Sequence, residues 1–101
     1  MKEVKAIIKP FMLEGVIDAL RQIKGLPGIT ISAAHSLSAE HGTFDQFDKT
    51  KLEIMVPDDL VETVVEAVQK AAHTGNPGDG RIVVIPVEKT VRISTGERGP
   101  T

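Results

Sequence analysis

The sequence predicts an α+β fold in which an antiparallel sheet carries two helices on one face. Alternating apolar and polar residues, which are typical of half-buried strands, occupy residues 2–9, 29–36 and 51–56. Apolar residues at helical spacing occupy residues 13–24 and 60–72. A β-branched run at residues 81–87 predicts a fourth strand. The order is therefore β-α-β-β-α-β.

The first strand has two different faces. Val4, Ala6 and Ile8 point one way and Ile7 the other, and Pro10 ends the strand. The helix that follows has one apolar face and stops at the breaker formed by residues 25–28.

The second and third strands are consecutive, so we expect an antiparallel pair. One face of the second strand carries Ile29, Ile31, Ala33 and His35, and one face of the third carries Leu52, Ile54 and Val56. Residues 37–50, between them, are polar and without period. This predicts a flexible loop, and connections of that length are more often functional than structural.

The second helix and the last strands complete the single domain, residues 1–101. Asp59 with Glu62 three positions later predicts a capping-box-like start, with Asp59 as the cap. The continuous run in residues 81–87 predicts a buried strand, which Pro86 places at or near an edge. We expect a short fifth strand at residues 91–94 and a mobile tail at residues 95–101.

With right-handed crossovers, this order is the ferredoxin-like sandwich. Its helices cover one face of the sheet. Ile7 and Met55 are out of phase with the core faces of their strands, which favours burial of the second face in a symmetric oligomer.

The composition excludes several classes of function. The net charge of −2 gives no general attraction to nucleic acid or anionic membranes. The aromatic residues amount to 3%, all of them Phe, so base-stacking platforms are scarce. The chain has no cysteine, no apolar run of spanning length and no signal peptide, and we expect a cytoplasmic protein that does not bind nucleic acid.

Residues 74–81, TGNPGDGR, form the most informative segment. Three glycines and a proline exclude a helix or a strand interior. Glycines allow positive φ and a close approach of a ligand to backbone N–H groups, which can form an anion-binding concavity. Arg81 adds a forked cation suited to phosphate. The segment is compatible with a phosphate site and equally with an ordinary surface turn.

Four segments resemble the PII signal-transduction family. They are KEVKAIIKPF at residues 2–11, KLEIMVPDD at 51–59, TGNPGDGRI at 74–82 and VRISTGE at 91–97. The resemblance implies a homotrimer that binds adenine nucleotide (ATP, ADP or AMP, with Mg²⁺ possible) in clefts between subunits. It also implies that residues 37–50, the equivalent of the family's T-loop, dock on a membrane transporter or a metabolic enzyme. Nucleotide and 2-oxoglutarate set the shape of that loop in the family.

The resemblance also assigns site residues. Gly78, Asp79 and Gly80 match a loop whose backbone holds phosphates, Arg81 matches a basic position that is usually lysine, and Arg92 matches a phosphate-binding arginine. Ile7, Thr30 and Met55 match positions near the adenine, and Glu53 stands in the same strand wall. Ser36 completes the nucleotide-binding set that the resemblance implies.

The chain departs from the family pattern in its loop and tail. Ser94 replaces a second phosphate-binding arginine, so ATP is expected to lose its advantage over ADP or AMP. Glu40 replaces a glutamine that helps to hold Mg²⁺ and 2-oxoglutarate. The loop is shorter by several residues, and with no tyrosine in the chain the usual uridylylation is impossible. These departures indicate a PII-like relative rather than a standard nitrogen regulator, and the resemblance implies a role in nitrogen, carbon or metal metabolism.

A metal-binding module without nucleotide response is the alternative. It rests on His35 and His41, near the acidic residues Glu40, Asp45 and Asp48. The spacing of the two histidines is not a standard zinc pattern, and solvated loop histidines explain them as well. No nucleophile–base pair is visible, so we do not expect an enzyme.

Overall fold

The computed structural model describes residues 1–40 and 43–99, and all their side chains except those at positions 38–40, 43 and 44. The strands are β1 (Lys2–Ile8), β2 (Ile29–Glu40), β3 (Thr43–Val56) and β4 (Gly80–Pro86). The helices are α1 (Leu13–Arg21) and α2 (Val61–Ala72). A single 3₁₀ turn precedes each helix, at Pro10–Met12 and at Asp58–Leu60.

The sheet has the order β2-β3-β1-β4, and each neighbouring pair is antiparallel. The two inner strands are β1 and β3. Val4 of β1 lies opposite Ile54 on one side and Val84 on the other. This topology confirms the predicted ferredoxin-like α+β sandwich.

The core lies between the two helices and one face of the sheet. It is formed by Val4, Ala6, Ile8, Val16, Leu20, Leu52, Ile54, Val56, Val64, Val68 and Ala72. The strand members are those that the period-two pattern placed on the core face, so the predicted faces of β1 and β3 are confirmed. Burial of these side chains is the main source of stability.

The prediction of a loop without regular structure at residues 37–50 is wrong. Pairing of β2 with β3 continues without interruption from Ile29 opposite Ile54 to Glu40 opposite Thr43. In the outer part of the hairpin, from Thr50 back towards Thr43, neither face lies over the core. Alternation of apolar and polar residues therefore has no reason to persist there. Leu37 is 65% exposed and Phe47 is 47% exposed. The hydrogen bonds between the two strands satisfy their backbone N–H and C=O groups here. His41 lies outside the described residues.

The predicted cap of the second helix is also wrong. Asp59 lies inside the 3₁₀ turn, and the residue at the N-cap position, Leu60, makes no side-chain hydrogen bond to the helix. Asp58 instead accepts a hydrogen bond of 2.6 Å from the Met1 ammonium group. That hydrogen bond, with the charge of Lys2, lowers the pKa of Asp58.

The last strands differ from the prediction in two ways. β4 is an edge strand, as Pro86 indicated, but it is not buried in the single chain, where Val83 is 40% and Val84 is 41% exposed. The second difference is that residues 91–94 form no strand. A single bridge pairs Val91 with Arg98, and the backbone N–H of Gly99 donates to the carbonyl of Thr90 at 3.2 Å.

This closed loop over residues 90–99 includes the first part of the predicted mobile tail. The backbone N–H of Arg92 donates to the carbonyl of Glu97 at 2.8 Å, and that of Gly96 donates to the carbonyl of Arg92 at 2.7 Å. The mobility of residues 95–101 stays a prediction, and residues 100 and 101 lie outside the described part of the chain. Neither of the two helices is long and apolar enough to cross a membrane.

We predict that Gly80→Ala destabilises the fold strongly. Gly80 opens β4 with φ of 114°, and a Cβ atom there would lie 1.8 Å from the carbonyl oxygen of Ile7. The strained φ alone costs about 1–3 kcal/mol, and the backbone clash adds to it. Urea unfolding measures the change. Gly28→Ala is the control, because no atom beyond its two chain neighbours lies within 4 Å of the added Cβ, and it should stay within about 0.5 kcal/mol of wild type. Equal stability of the two variants would contradict the prediction.

Candidate functional site

The glycine-rich segment that joins α2 to β4 has a defined shape. Gly75 and Gly78 both have φ of 84° and Gly80 has φ of 114°, values that favour glycine over other residues. The chain can therefore turn sharply between His73, which ends α2, and Gly80, which pairs with Ile8 in the sheet. We call residues 74–80 the glycine loop.

The carboxylate of Asp79 is the centre of the glycine loop. It accepts hydrogen bonds from the backbone N–H of Thr74 at 2.8 Å and of Gly75 at 3.1 Å. The hydroxyl of Thr74 donates to its other oxygen, and the same hydroxyl accepts from the N–H of Asn76 at 3.1 Å. The two ends of the loop are thus tied together by one side chain.

Positive charges converge on the same place. The Lys9 ammonium group lies 3.1 Å from Asp79 Oδ1 and donates to the Thr74 hydroxyl at 3.3 Å. Lys49, from β3, donates to the carbonyl oxygen of Gly78. Arg81 follows the loop in β4 and is exposed. Lys9 contacts the carboxylate, Lys49 contacts the loop backbone and Arg81 follows the loop, so three cations flank a loop whose one charged residue is Asp79.

These contacts hold Asp79 in its ionised form. The hydrogen bond from the Thr74 hydroxyl contributes most to lowering the pKa of Asp79, followed by the one from the Thr74 backbone. Lys9 and the N–H of Gly75 lower this pKa further, whereas partial burial opposes them. His73 lies nearby, with its Nδ1 3.6 Å from Asp79 Oδ2.

The predicted strand residues share the sheet face that the helices leave uncovered. Ile7 lies opposite Arg81 and Thr30 lies opposite Glu53 on this face, and Met55 stands two residues beyond Glu53. The prediction that Ile7 and Met55 point away from the core is confirmed by the register and by their incomplete burial.

Within the single chain, these residues fall into two separate groups. Thr30, Glu53 and Met55 line one cavity of about 540 Å³. A second cavity of about 440 Å³ lies next to the glycine loop and is lined by residues of β1, α2 and β4, including Ile7, Asp79, Gly80 and Arg81. Met55 pairs with Glu3, four residues from Ile7 along β1, a separation of about 13 Å.

The remaining predicted residues lie elsewhere. Ser36 pairs with Phe47 in the outer part of the β2–β3 hairpin. Arg92 lies in the closed loop that follows β4, where its side chain is exposed. Neither is a lining residue of the two cavities just described. One chain therefore does not bring the whole predicted nucleotide set together.

The metal hypothesis gains little from the geometry. His35 Nδ1 lies 3.1 Å from Asp48 Oδ1, across the β2–β3 pair. Among the described side chains, which exclude those of residues 38–44, no group of three His, Asp or Glu is placed to hold a metal ion. His41 lies outside the described residues, so the metal site at His35 and His41 stays a prediction.

The sequence reasoning missed Lys9, Lys49 and Thr74. Lys9 precedes Pro10 at the end of β1, and a basic residue next to a glycine-rich loop is a signal only when the strand order is known. Lys49 could not be found, because it was assigned to an irregular loop. Thr74 belongs to the glycine-rich segment, and its hydroxyl was not considered as a partner of Asp79.

Comparison with known proteins decides the family. A family model described as "Nitrogen regulatory protein P-II" matches residues 1–97. The chain belongs to the P-II family. The chain is 45% identical over 109 aligned positions to the nitrogen regulatory protein P-II of Azospirillum brasilense, covering 98% of this chain and 96% of the relative. It is 39% identical over 107 positions to nitrogen regulatory protein P-II 1 of Escherichia coli strain K12, covering 96% and 95%.

The alignments confirm the resemblance stated from four segments. The Azospirillum brasilense alignment, at 109 positions, is longer than this chain of 101 residues. This P-II protein therefore lacks residues that the relative has. Both relatives are named as nitrogen regulatory proteins.

We predict that Asp79→Asn removes part of the acid sensitivity of the fold. The lowered pKa of Asp79 means that its carboxylate stabilises the native state at neutral pH. This contribution is lost as pH falls below the ordinary value of about 3.9 towards the lower native value. Urea unfolding at intervals from pH 7 to pH 3 should show the wild type as more stable at pH 7, with the difference narrowing on acidification.

Asp59→Asn is the matched control, since Asp59 is an exposed carboxylate of the turn before α2. It should follow the wild-type profile. A constant gap between wild type and Asp79→Asn across this pH range would contradict the assignment.

Proposed function

We propose that this protein is a P-II-type regulator that binds the phosphates of an adenine nucleotide at the glycine loop. The observation that supports it is the combination of a loop built from three positive-φ glycines with three cations, Lys9, Lys49 and Arg81, against a single carboxylate. Such a loop attracts an anion and offers backbone N–H groups at close range. The names of the relatives support a regulatory role.

The geometry limits which loop groups are available to phosphate. The N–H groups of Thr74 and Gly75 already donate to Asp79, and that of Asn76 donates to the Thr74 hydroxyl. Gly80 and Arg81 pair with β1, so the proposed phosphate donors are the backbone N–H groups of Gly78 and Asp79 and the side chain of Arg81. Lys9 and Lys49 supply the surrounding positive charge.

A complete site requires a second copy of the chain. The cavity with Thr30, Glu53 and Met55 is separate from the glycine loop. The first cavity lies on the sheet face that no helix covers, where Val83 is also exposed, whereas the second lies at the β4 edge between the glycine loop and α2. In a homotrimer, the cavity of one subunit and its Arg92 would meet the glycine loop of the next, and ATP, ADP or AMP would bind in the cleft.

The signal would leave through the β2–β3 hairpin. Leu37 and Phe47 are exposed near its outer part, and they give a partner protein an apolar contact. Lys49 belongs to this hairpin and binds the glycine loop at Gly78. We propose a membrane transporter or a metabolic enzyme as the partner. We propose Mg²⁺ and 2-oxoglutarate as second effectors. Calorimetric titrations of nucleotide in the presence of each of them test this.

We predict saturable binding of ATP, ADP and AMP in calorimetric titrations, with ADP nearly as tight as ATP because Ser94 supplies no cation. Arg92→Ala and Arg81→Ala each remove a charge-assisted hydrogen bond to phosphate, worth about 1.5–3 kcal/mol, and should weaken binding about 10- to 150-fold. Arg21→Ala, an exposed arginine of α1, is the control and should bind as wild type does. No binding by the wild type at millimolar nucleotide would overturn the proposal.

We also predict an oligomeric mass of about three times 10.9 kDa by size exclusion with light scattering. Val83→Asp should dissociate it without unfolding the subunit. Lys5, which lies opposite Val83, can pair with the new carboxylate in a monomer, but an interface would bury that charge at high cost. Thr63→Asp, on the exposed side of α2, should leave the mass unchanged. A wild-type mass near 10.9 kDa would refute the trimer.

A further inference from the structure

Asp79 occupies the position of a bound anion inside its own loop. Its two oxygens receive the N–H groups of Thr74 and Gly75, the Thr74 hydroxyl and the Lys9 ammonium group. A phosphate in a glycine-rich loop is bound by donors of the same kinds. The first half of the glycine loop is therefore satisfied by the chain itself, and no external ligand is needed to give it shape.

We call the contacts of Asp79 with Thr74, Gly75 and Lys9 the clamp. The clamp is partly shielded from solvent on the side of the sheet. The side chain of Asp79 is 23% exposed and that of Lys9 is 17% exposed. The charged and titratable groups that face it are Lys9 from the end of β1, His73 from the end of α2 and, beyond Gly78, Lys49 from β3. All of them are positive or neutral, so among the side chains that the structure describes no negative charge pushes the carboxylate outward.

We propose that Asp79 is a positioning residue, which together with Thr74 and Lys9 holds the glycine loop in its phosphate-binding shape before nucleotide arrives. This inference rests on the proposed nucleotide function. The clamp fixes Thr74 and Gly75 at one end and Asp79 at the other, so the backbone of residues 76–78 has little freedom left to lose. Ligand then binds without the entropic cost of ordering the loop.

The same contacts permit an opposite role, and the two differ in the sign of one effect. If Asp79 were an internal competitor of phosphate for Lys9, removing its charge would make nucleotide bind more tightly. As a positioning residue, Asp79 contributes order, and removing its charge makes nucleotide bind more weakly. The variant Asp79→Asn decides between them.

The first test needs no ligand. In the wild type, the amide hydrogens of Thr74 and Gly75 should exchange slowly with solvent in NMR hydrogen exchange, because Asp79 accepts both. Asp79→Asn and Thr74→Val should raise both exchange rates at least tenfold, whereas Thr74→Ser, which keeps the hydroxyl, should preserve protection. Fast exchange of both amides in the wild type would overturn the clamp.

The second test measures ATP and ADP binding by calorimetry at a temperature where far-UV circular dichroism shows every variant folded. Asp79→Asn and Thr74→Val should each weaken binding at least fivefold, and Thr74→Ser should restore wild-type affinity. If Thr74 served only to pack the fold, keeping its hydroxyl in Thr74→Ser would not be sufficient to restore the affinity. Affinity that is unchanged or increased in Asp79→Asn overturns the positioning role.

The two proposals fail in different ways. If the wild type shows protected amides but no nucleotide binding, the clamp exists and the nucleotide function is refuted, together with the positioning role that depends on it. If the wild type binds nucleotide but its Thr74 and Gly75 amides exchange freely, the nucleotide function stands and the clamp is refuted. Asp59→Asn, a carboxylate outside the loop, should match the wild type in both experiments.

Discussion

The position of β1 between β3 and β4 determines almost everything else in this structure. β1 pairs with both β3 and β4. Its alternation between core-facing and outward-facing side chains therefore fixes which side chains of both neighbours face the core. Val4, Ala6 and Ile8 set the depth of the core under the helices. Ile7 and its neighbours in register form the centre of the opposite face. A shift of one residue in either pairing would exchange the two faces and destroy both the core and the candidate site.

The same constraint places the glycine loop. β4 must start beside Ile8, and its first residue, Gly80, passes so close to the carbonyl of Ile7 that a side chain has no room. Lys9 leaves β1 at this point and meets Asp79. The positive charge next to the loop is therefore a consequence of strand order, which brings together residues from the beginning, the middle and the last third of the chain.

The sequence alone predicted most of the fold and part of the site. The alternation of β1 and β3 and the spacing of both helices carried enough signal, because those segments touch the core. The outer part of the hairpin, from Thr50 back towards Thr43, was not predicted. Its strands are held by backbone pairing, whereas the periodicity of side chains reports only which of them are buried. The predicted cap at Asp59 was wrong because a 3₁₀ turn places the start of the helix after that residue. The division of the predicted nucleotide-binding residues into two groups could not be derived from periodicity, because it depends on how far each residue lies along β1.

The extension of β2 and β3 into one continuous ribbon has a mechanical consequence. Lys49 grips the glycine loop near the base of this ribbon, and Thr43 lies six residues farther out, about 20 Å away at the rise of an extended strand. Over that length, a tilt of about 5° at the base moves the far end by about 2 Å. A small rotation at the base is therefore a much larger displacement at the far end than at the contact between Lys49 and the glycine loop.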